Sequence, residues 1–245
     1  MISVVIITLN EADQILDCIK SVQPFSDDIV VVDANSVDDT VQFASKYGCR
    51  VFEKDWNGYG EARNFGAAQA FHNWIFSIDA DERCSPVLCD SIANLVLDDT
   101  KVYTCTRHNF LIDRYMRFGY LKPERKIRLY NRHLANWDDK VVHEQLILPS
   151  ATEKVNLQGP LYHIAYPNLD VLYQKLFSYA DKIALTSRKD KNQNLIKMVS
   201  PLFHFIRSFI FQLGFVEGKR GWQSSCAAFQ YHKRKYARQN KKKWN

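Results

Sequence analysis

The densest concentration of possible chemistry in this 245-residue sequence is the run Asp79-Ala80-Asp81-Glu82. Neighbouring carboxylates repel one another unless a cation or an arginine neutralises them. A divalent ion, Mg2+ or Mn2+, held by one or two carboxylates with substrate phosphates in its other positions, is the usual resolution. Such an ion offsets the charge of a departing diphosphate, which is Lewis-acid help to a leaving group. Two further polar runs, Thr8-Leu9-Asn10-Glu11 and Asp33-Ala34-Asn35-Ser36, each follow an apolar stretch. Asp33 can accept hydrogen bonds from a nucleotide base or ribose. Arg63, next to Asn64, can clamp phosphate or orient the aspartate pair. Each has a plainer reading: an acidic turn before a helix, a strand-end turn residue and a surface arginine.

What favours the chemical reading is the set of elements that positions these residues. Ser3 to Thr8, Ile29 to Val32, Arg50 to Glu53 and Trp74 to Ile78 are short apolar runs of the kind found in strands buried on both faces. Helical spacing fills the gaps: Asn10 to Val22, a helix opened by a capping box at Ser36-Val37-Asp38-Asp39, Glu61 to Phe71, and a helix started by Ser85-Pro86 as N-cap and first residue. Alternation of strand and helix over the first hundred residues predicts a parallel α/β sheet with right-handed crossovers. Ligands in such sheets bind beyond the carboxyl ends of the strands. All three polar runs fall at that end.

Other chemistries lose support. There is no Gly-x-Gly-x-x-Gly, no Walker loop and no zinc-type Cys/His spacing. The six cysteines contain no Cys-x-x-Cys pair and the N-terminus has no signal-peptide character, so reduced thiols and a cytoplasmic location are expected. Charge is uneven. Nine Lys or Arg and no acid lie between Gly218 and Asn245; with the whole chain at +6, residues 1 to 217 carry −3. A basic end of this kind suits an anionic partner, or is simply solvated. Before it, residues 199–216 place Ser200, His204, Arg207, Ser208 and Gln212 on one stripe and Phe203, Ile206, Phe209, Ile210 and Leu213 on the rest. That spacing predicts an amphipathic helix, too short and too charged to span a bilayer, lying on a membrane or docked on the domain.

The order and spacing of Ile2 to Glu11, Val30 to Thr40, Trp56-Asn57-Gly58-Tyr59 with Ala62-Arg63-Asn64, and Ile78 to Glu82 resemble glycosyltransferase family 2. Arg128 to Arg132, Val142-His143-Glu144, Leu161-Tyr162-His163 and the region from Pro201 to Tyr236 resemble, more loosely, bacterial lipopolysaccharide core β-1,4-glucosyltransferases. The resemblance implies the GT-A fold, a Rossmann-like mostly parallel sheet flanked by helices, here with a C-terminal helical, membrane-facing extension. It implies a nucleotide-sugar half (residues 1–100), an acceptor half (101–168) and a basic helical segment (169–245). It implies an inverting enzyme that moves a hexose, glucose, from a UDP-sugar to a heptose of the lipopolysaccharide inner core, with a divalent metal as cofactor. The enzyme would sit on the inner face of the cytoplasmic membrane, with no nucleic-acid partner.

Carried over by residue, Thr8, Asn10, Glu11 and Asp33 would line the pocket for the uracil and ribose of a UDP-sugar. Asp79 and Asp81 would be the metal motif, with Asp81 the direct ligand, and His163 would complete the metal shell or touch the diphosphate. Glu144 would be the base, with Asp138 and Asp139 as rivals. Arg125, Arg128 and Arg132 would grip phosphates. Two alternatives remain open from sequence: a polyprenyl-phosphate acceptor, which needs no general base, and a non-catalytic nucleotide- or polyanion-binding protein.

Overall fold

The computed structural model describes residues 1–138, 144–186 and 194–241. The chain forms two compact units, Met1–Arg107 with Glu124–His163, and His108–Pro123 with Ile164–Asn245.

The first unit runs β1 (Ile2–Thr8), α1 (Ala12–Val22), β2 (Asp28–Asp33), α2 (Thr40–Lys46), β3 (Arg50–Glu53), α3 (Tyr59–Gln69), β4 (Trp74–Asp79), β5 (Glu82–Cys84), α4 (Pro86–Ala93) and β6 (Lys101–Leu111), whose end enters the second unit along with β7 (Arg114–Tyr115). It resumes with β8 (Glu124–Asn131), β9 (Asn136–Trp137), β10 (Leu146–Ile147) and β11 (Glu153–Tyr166). The main sheet has the order β3-β2-β1-β4-β8-β6-β11-β5, with β7 on β6. Its first four strands are parallel, as the strand–helix alternation predicts, and β8 then pairs antiparallel with β4 and β6. The register sets Thr8 opposite Asp33 and Ile7 opposite Asp79, so the carboxyl ends of β2, β1 and β4 lie side by side.

Both faces of the parallel half are covered, which is why its strands read as unbroken apolar runs. Val4, Ile6, Val31, Phe76 and Ile78 pack with Ile15, Ile19, Ala44, Leu88 and Ile92 of α1, α2 and α4. Val5, Ile7, Val30, Val32 and Ile75 pack with Ala62, Ala67 and Ala70 on the α3 side. Helix α3 lies close because it is made of small residues; a Cβ on Gly66 would come within 2.4 Å of Val5 Cγ1.

The Ser85 N-cap forms as expected, its hydroxyl accepting from the Leu88 amide at 3.2 Å. The capping box at Ser36 does not. Helix α2 begins only at Thr40, and Asp39 makes no side-chain cap. Ser36 and Asp38 bond instead to Asp33 and to the backbone of Ala12, so their side chains tie the β2 loop to its neighbours.

In the second unit α5 (Leu169–Thr186) and α6 (Asn194–Ile206) both pack on α7 (Lys219–Lys241). The single helix expected over 199–216 is a broken one. Helix α6 ends at Ile206, a π-turn spans Arg207–Phe211, Leu213 adopts φ 57°, and a 3-10 turn spans Gly214–Glu217. The closure needs Gly214, where a Cβ would meet the Ser208 carbonyl at 2.7 Å. Of the polar stripe, Ser200 and Ser208 are buried and His204 and Gln212 half-buried, while Arg207 is exposed. Ser208 and Ser225 share a 2.7 Å hydrogen bond, Ser200 donates to the Tyr236 hydroxyl at 3.2 Å, and His204 stacks on His232 at 3.5 Å. The two serines pair with α7, the buried His232 Nδ1 has no hydrogen-bond partner among the described residues, and Phe203, Ile210 and Leu213 are exposed while Ile206 and Phe209 are half-buried.

The His232 pair makes this unit acid-sensitive. Burial, with His204 and Lys235 nearby, pushes the His232 imidazole down to about 3. The unfolded chain takes up that proton near pH ~6.5, well above the folded protein, so stability falls as pH drops through the interval between. His232→Gln should flatten the decline of the thermal midpoint between pH 7 and pH 4, measured by circular dichroism. An unchanged slope would contradict the assignment.

Candidate active site

Pleating decides which way the carboxylates point. In β4, Ile75, Ser77 and Asp79 share the face toward α3, since successive side chains alternate. Arg63 lies in the second turn of α3 and is 3% exposed. Its Nη2 donates to Asp79 Oδ1 at 2.8 Å and its Nη1 to Glu144 Oε1 at 2.5 Å. The guanidinium also lies 4.7 Å from the Trp137 ring, a cation–π contact. From β8, Arg128 donates to Asp79 Oδ2 at 3.1 Å and to Glu82. From β6, Arg107 donates to Glu82 at 3.2 Å and to Glu124. Two buried guanidinium groups, Arg63 and Arg128, and the half-buried Arg107 thus stand against Asp79, Glu82, Glu124 and Glu144.

This lattice sets the protonation states. Burial alone would raise the Asp79 carboxyl, but Arg128, Arg63 and Arg107 outweigh it and hold it far below the ordinary carboxylate range. Glu124, also partly desolvated, is brought down to about 2 by Arg107 and Lys126. Burial opposes the charge of Arg128, and Glu82 and Asp79 more than compensate. Asp79 therefore stays ionised across the working pH range.

Asp81 follows at the turn into β5. The antiparallel pairing of β5 with β11 puts His163 opposite Glu82, and His163 Nε2 comes to 3.5 Å from Asp81 Oδ2. One carboxylate oxygen and one imidazole nitrogen suit a divalent cation whose other positions are filled by phosphate oxygens. Among the described residues no three His, Cys, Asp or Glu side chains converge on a metal-sized point. The protein's share of such a site is a pair, with Asp79 turned instead to the two arginines.

The other strand ends hold one another. Asp33, fully buried, accepts from the Ser36 amide and hydroxyl at 2.6 Å each. By the same alternation it shares the α1 face with Ile29 and Val31, so Asp33 and Asp79 flank β1 from opposite faces. Asn10, at φ 53°, accepts from the Val37 amide and donates its own amide to Ser36. The Glu11 carbonyl opens α1 by accepting from Gln14 and Ile15. Thr8 is 5% exposed and its hydroxyl has no hydrogen-bond partner among the described residues.

Sequence reasoning named Asp79, Asp81, Arg63, His163 and Glu144, and the structure brings them to one end of the sheet. It did not find Glu82 and Arg107 as partners, because their pairing rests on antiparallel strands far apart in sequence. Arg128 lies under the aspartates rather than on an open phosphate site, and Arg132 caps α3 through the Ala67 and Ala70 carbonyls. Asn64 grips the Trp137 backbone from both ends of its amide. Asp138 accepts from the amide of Gln145, the residue after Glu144, at 3.0 Å. Asp139, Val142 and His143 lie outside the described residues.

Residues 3–147 match the family model of glycosyl transferase family 2. The chain belongs to that family. This glycosyltransferase is 29% identical to an uncharacterized glycosyltransferase of Rickettsia prowazekii (strain Madrid E), over 91% of this chain and 81% of that one. It is 27% identical to the lipopolysaccharide core biosynthesis glycosyltransferase LpsC of Rhizobium meliloti (strain 1021), over 85% of this chain and 80% of the relative. Among solved structures, the mannosyltransferase PcManGT from Pyrobaculum calidifontis, in complex with GDP-Man and Mn2+, aligns with a TM-score of 0.58 at 10% identity, covering 99% of this chain and 87% of that one. That likeness is one of fold, and it bears out the GT-A architecture.

Removing Arg128 leaves Glu82, with no exposed surface, beside Arg107 alone. Breaking such a buried pair costs about 3–5 kcal/mol. Arg128→Met should lower the unfolding free energy by that amount in urea titrations. A loss under about 1 kcal/mol would show that the lattice is not held by these charges.

Proposed function

We propose that this glycosyltransferase moves glucose from UDP-glucose to a heptose of the lipopolysaccharide inner core, with inversion, at the inner face of the cytoplasmic membrane. The observation that carries the reading is Asp79, held ionised by Arg128 and Arg63 at the carboxyl edge of the sheet, next to Asp81 with His163 beside it. The sequence likeness to LpsC, named for lipopolysaccharide core biosynthesis, supports the acceptor.

Asp81 and His163 would hold a divalent cation, which when bound supplies Lewis-acid stabilisation of the UDP leaving group. Asp79 keeps the edge anionic and is held in place by Arg63 and Arg128. Thr8, with its unpartnered hydroxyl, and Asp33, through its loop with Ser36, would form the nucleoside side. The acceptor hydroxyl attacks the anomeric carbon as the bond to UDP breaks, and Glu144 takes its proton. Asp81→Asn should lower UDP release from UDP-glucose by at least about a hundredfold, and Glu144→Gln should lower transfer by about 10²–10⁴-fold. UDP release that is indifferent to EDTA and to Asp81→Asn would overturn the metal assignment. Full turnover in Glu144→Gln would instead favour an acceptor that is already anionic.

The membrane location rests on the second unit. No helix among the described residues is long and apolar enough to cross a bilayer. Yet Phe203, Ile210, Phe211, Leu213, Phe215 and Trp222 are each 44–76% exposed. A cluster of this size marks an interaction surface. Exposed Arg114, Arg117, Arg207 and Lys219 in the same unit give it the positive charge that favours an anionic bilayer. The enzyme should co-sediment with phosphatidylglycerol vesicles but weakly with phosphatidylcholine vesicles, less so in high salt, and Phe211→Glu should reduce binding. Equal binding to both vesicles, or self-association through this face, would count against a charged membrane partner.

A further inference from the structure

Glu144 lies outside any strand or helix, two residues before β10. A base placed on a loop needs something rigid to aim it, since misplacement by an ångström costs heavily in rate. Its one described contact is Arg63, and Arg63 is among the most constrained side chains in the unit. It projects from a helix pressed on the sheet, its plane lies against Trp137, and its other donor is fixed on Asp79. Trp137 is itself held by the Asn64 amide and by a 3.0 Å hydrogen bond from its indole to Tyr130. One N–H of each η nitrogen is directed at a carboxylate, so the two ends of the fork set the spacing of Asp79 and Glu144. A planar fork of fixed geometry spaces two carboxylates in a way that a lysine ammonium does not.

We propose that Arg63 is a positioning residue for the base: it fixes Glu144 at a set distance from Asp79, and so aligns proton removal on the acceptor with departure of the diphosphate. This rests on the reading of Glu144 as the base. It replaces the expectation that Arg63 grips the donor phosphates. Arg63 then acts on the rate of transfer through Glu144 and contributes little to donor affinity.

The test is a double-mutant cycle on kcat for acceptor-dependent transfer, with UDP affinity measured by calorimetry on each protein. Arg63→Lys, which keeps the charge and loses the fork, should lower kcat at least tenfold and leave the Kd for UDP within about twofold. Glu144→Gln should lower kcat on its own, and adding Arg63→Lys to it should cost no more than a further twofold. Should Arg63→Lys fail to fold, Trp137→Leu, which frees the guanidinium plane without removing it, takes its place in the same cycle. Additive effects of the two substitutions, or a loss of UDP affinity that accounts for the loss in rate, would overturn the positioning role while leaving Glu144 as base. A Glu144→Gln variant with full activity would instead remove the base assignment itself.

Discussion

Carboxylates cannot be gathered at a buried sheet edge without positive charge to hold them. In this glycosyltransferase the charge is structural: Arg63, Arg107 and Arg128 are built into α3, β6 and β8, and each reaches at least two acids. Their burial makes each contact strong and each loss expensive. The lattice therefore does two jobs. It closes the seam between the parallel and antiparallel halves of the sheet, and it holds Asp79 ionised next to Asp81. The site proposed for a diphosphate and a cation is thus charged in advance, with Asp79 held ionised by the fold's own arginines.

The rest of the first unit can be traced to that requirement. Helix α3 is rich in glycine and alanine because a bulkier helix would stand off the sheet and Arg63 would miss Asp79. Strand β8 brings Arg128 beneath β4, and β5 turns back on β11 so that His163 meets Asp81. On the far side of β1, Asn10, Asp33, Ser36 and Thr40 hydrogen-bond across two loops, which fixes the shape of the edge without using the charged lattice.

Much of this was legible in the sequence, and the reasons are local. Apolar runs of buried parallel strands and the polar residues directly after them are short-range signals, so β1, β2, β4 and the positions of Thr8, Asp33, Asp79 and Asp81 could be read directly. Ser85-Pro86 was legible for the same reason. The capping box at Ser36 was misread because its serine and acid serve tertiary hydrogen bonds, which outcompete the local pattern. The partners of Asp79 were not legible: Arg63 and Arg128 lie 16 and 49 residues from it in sequence. In residues 199–216 the periodicity was legible and the break after Ile206 was not, because it depends on Gly214 closing against the Ser208 carbonyl.

On the proposed reading, the aspartates that follow and end β4 form, with His163, a cation-dependent seat for the donor diphosphate. Calorimetric titration of UDP with and without Mn2+ tests it directly. UDP should bind at least tenfold more tightly with Mn2+ present, and Asp81→Asn should abolish that gain while leaving the metal-free affinity unchanged. UDP affinity that is the same with and without Mn2+ in the unsubstituted enzyme would contradict it.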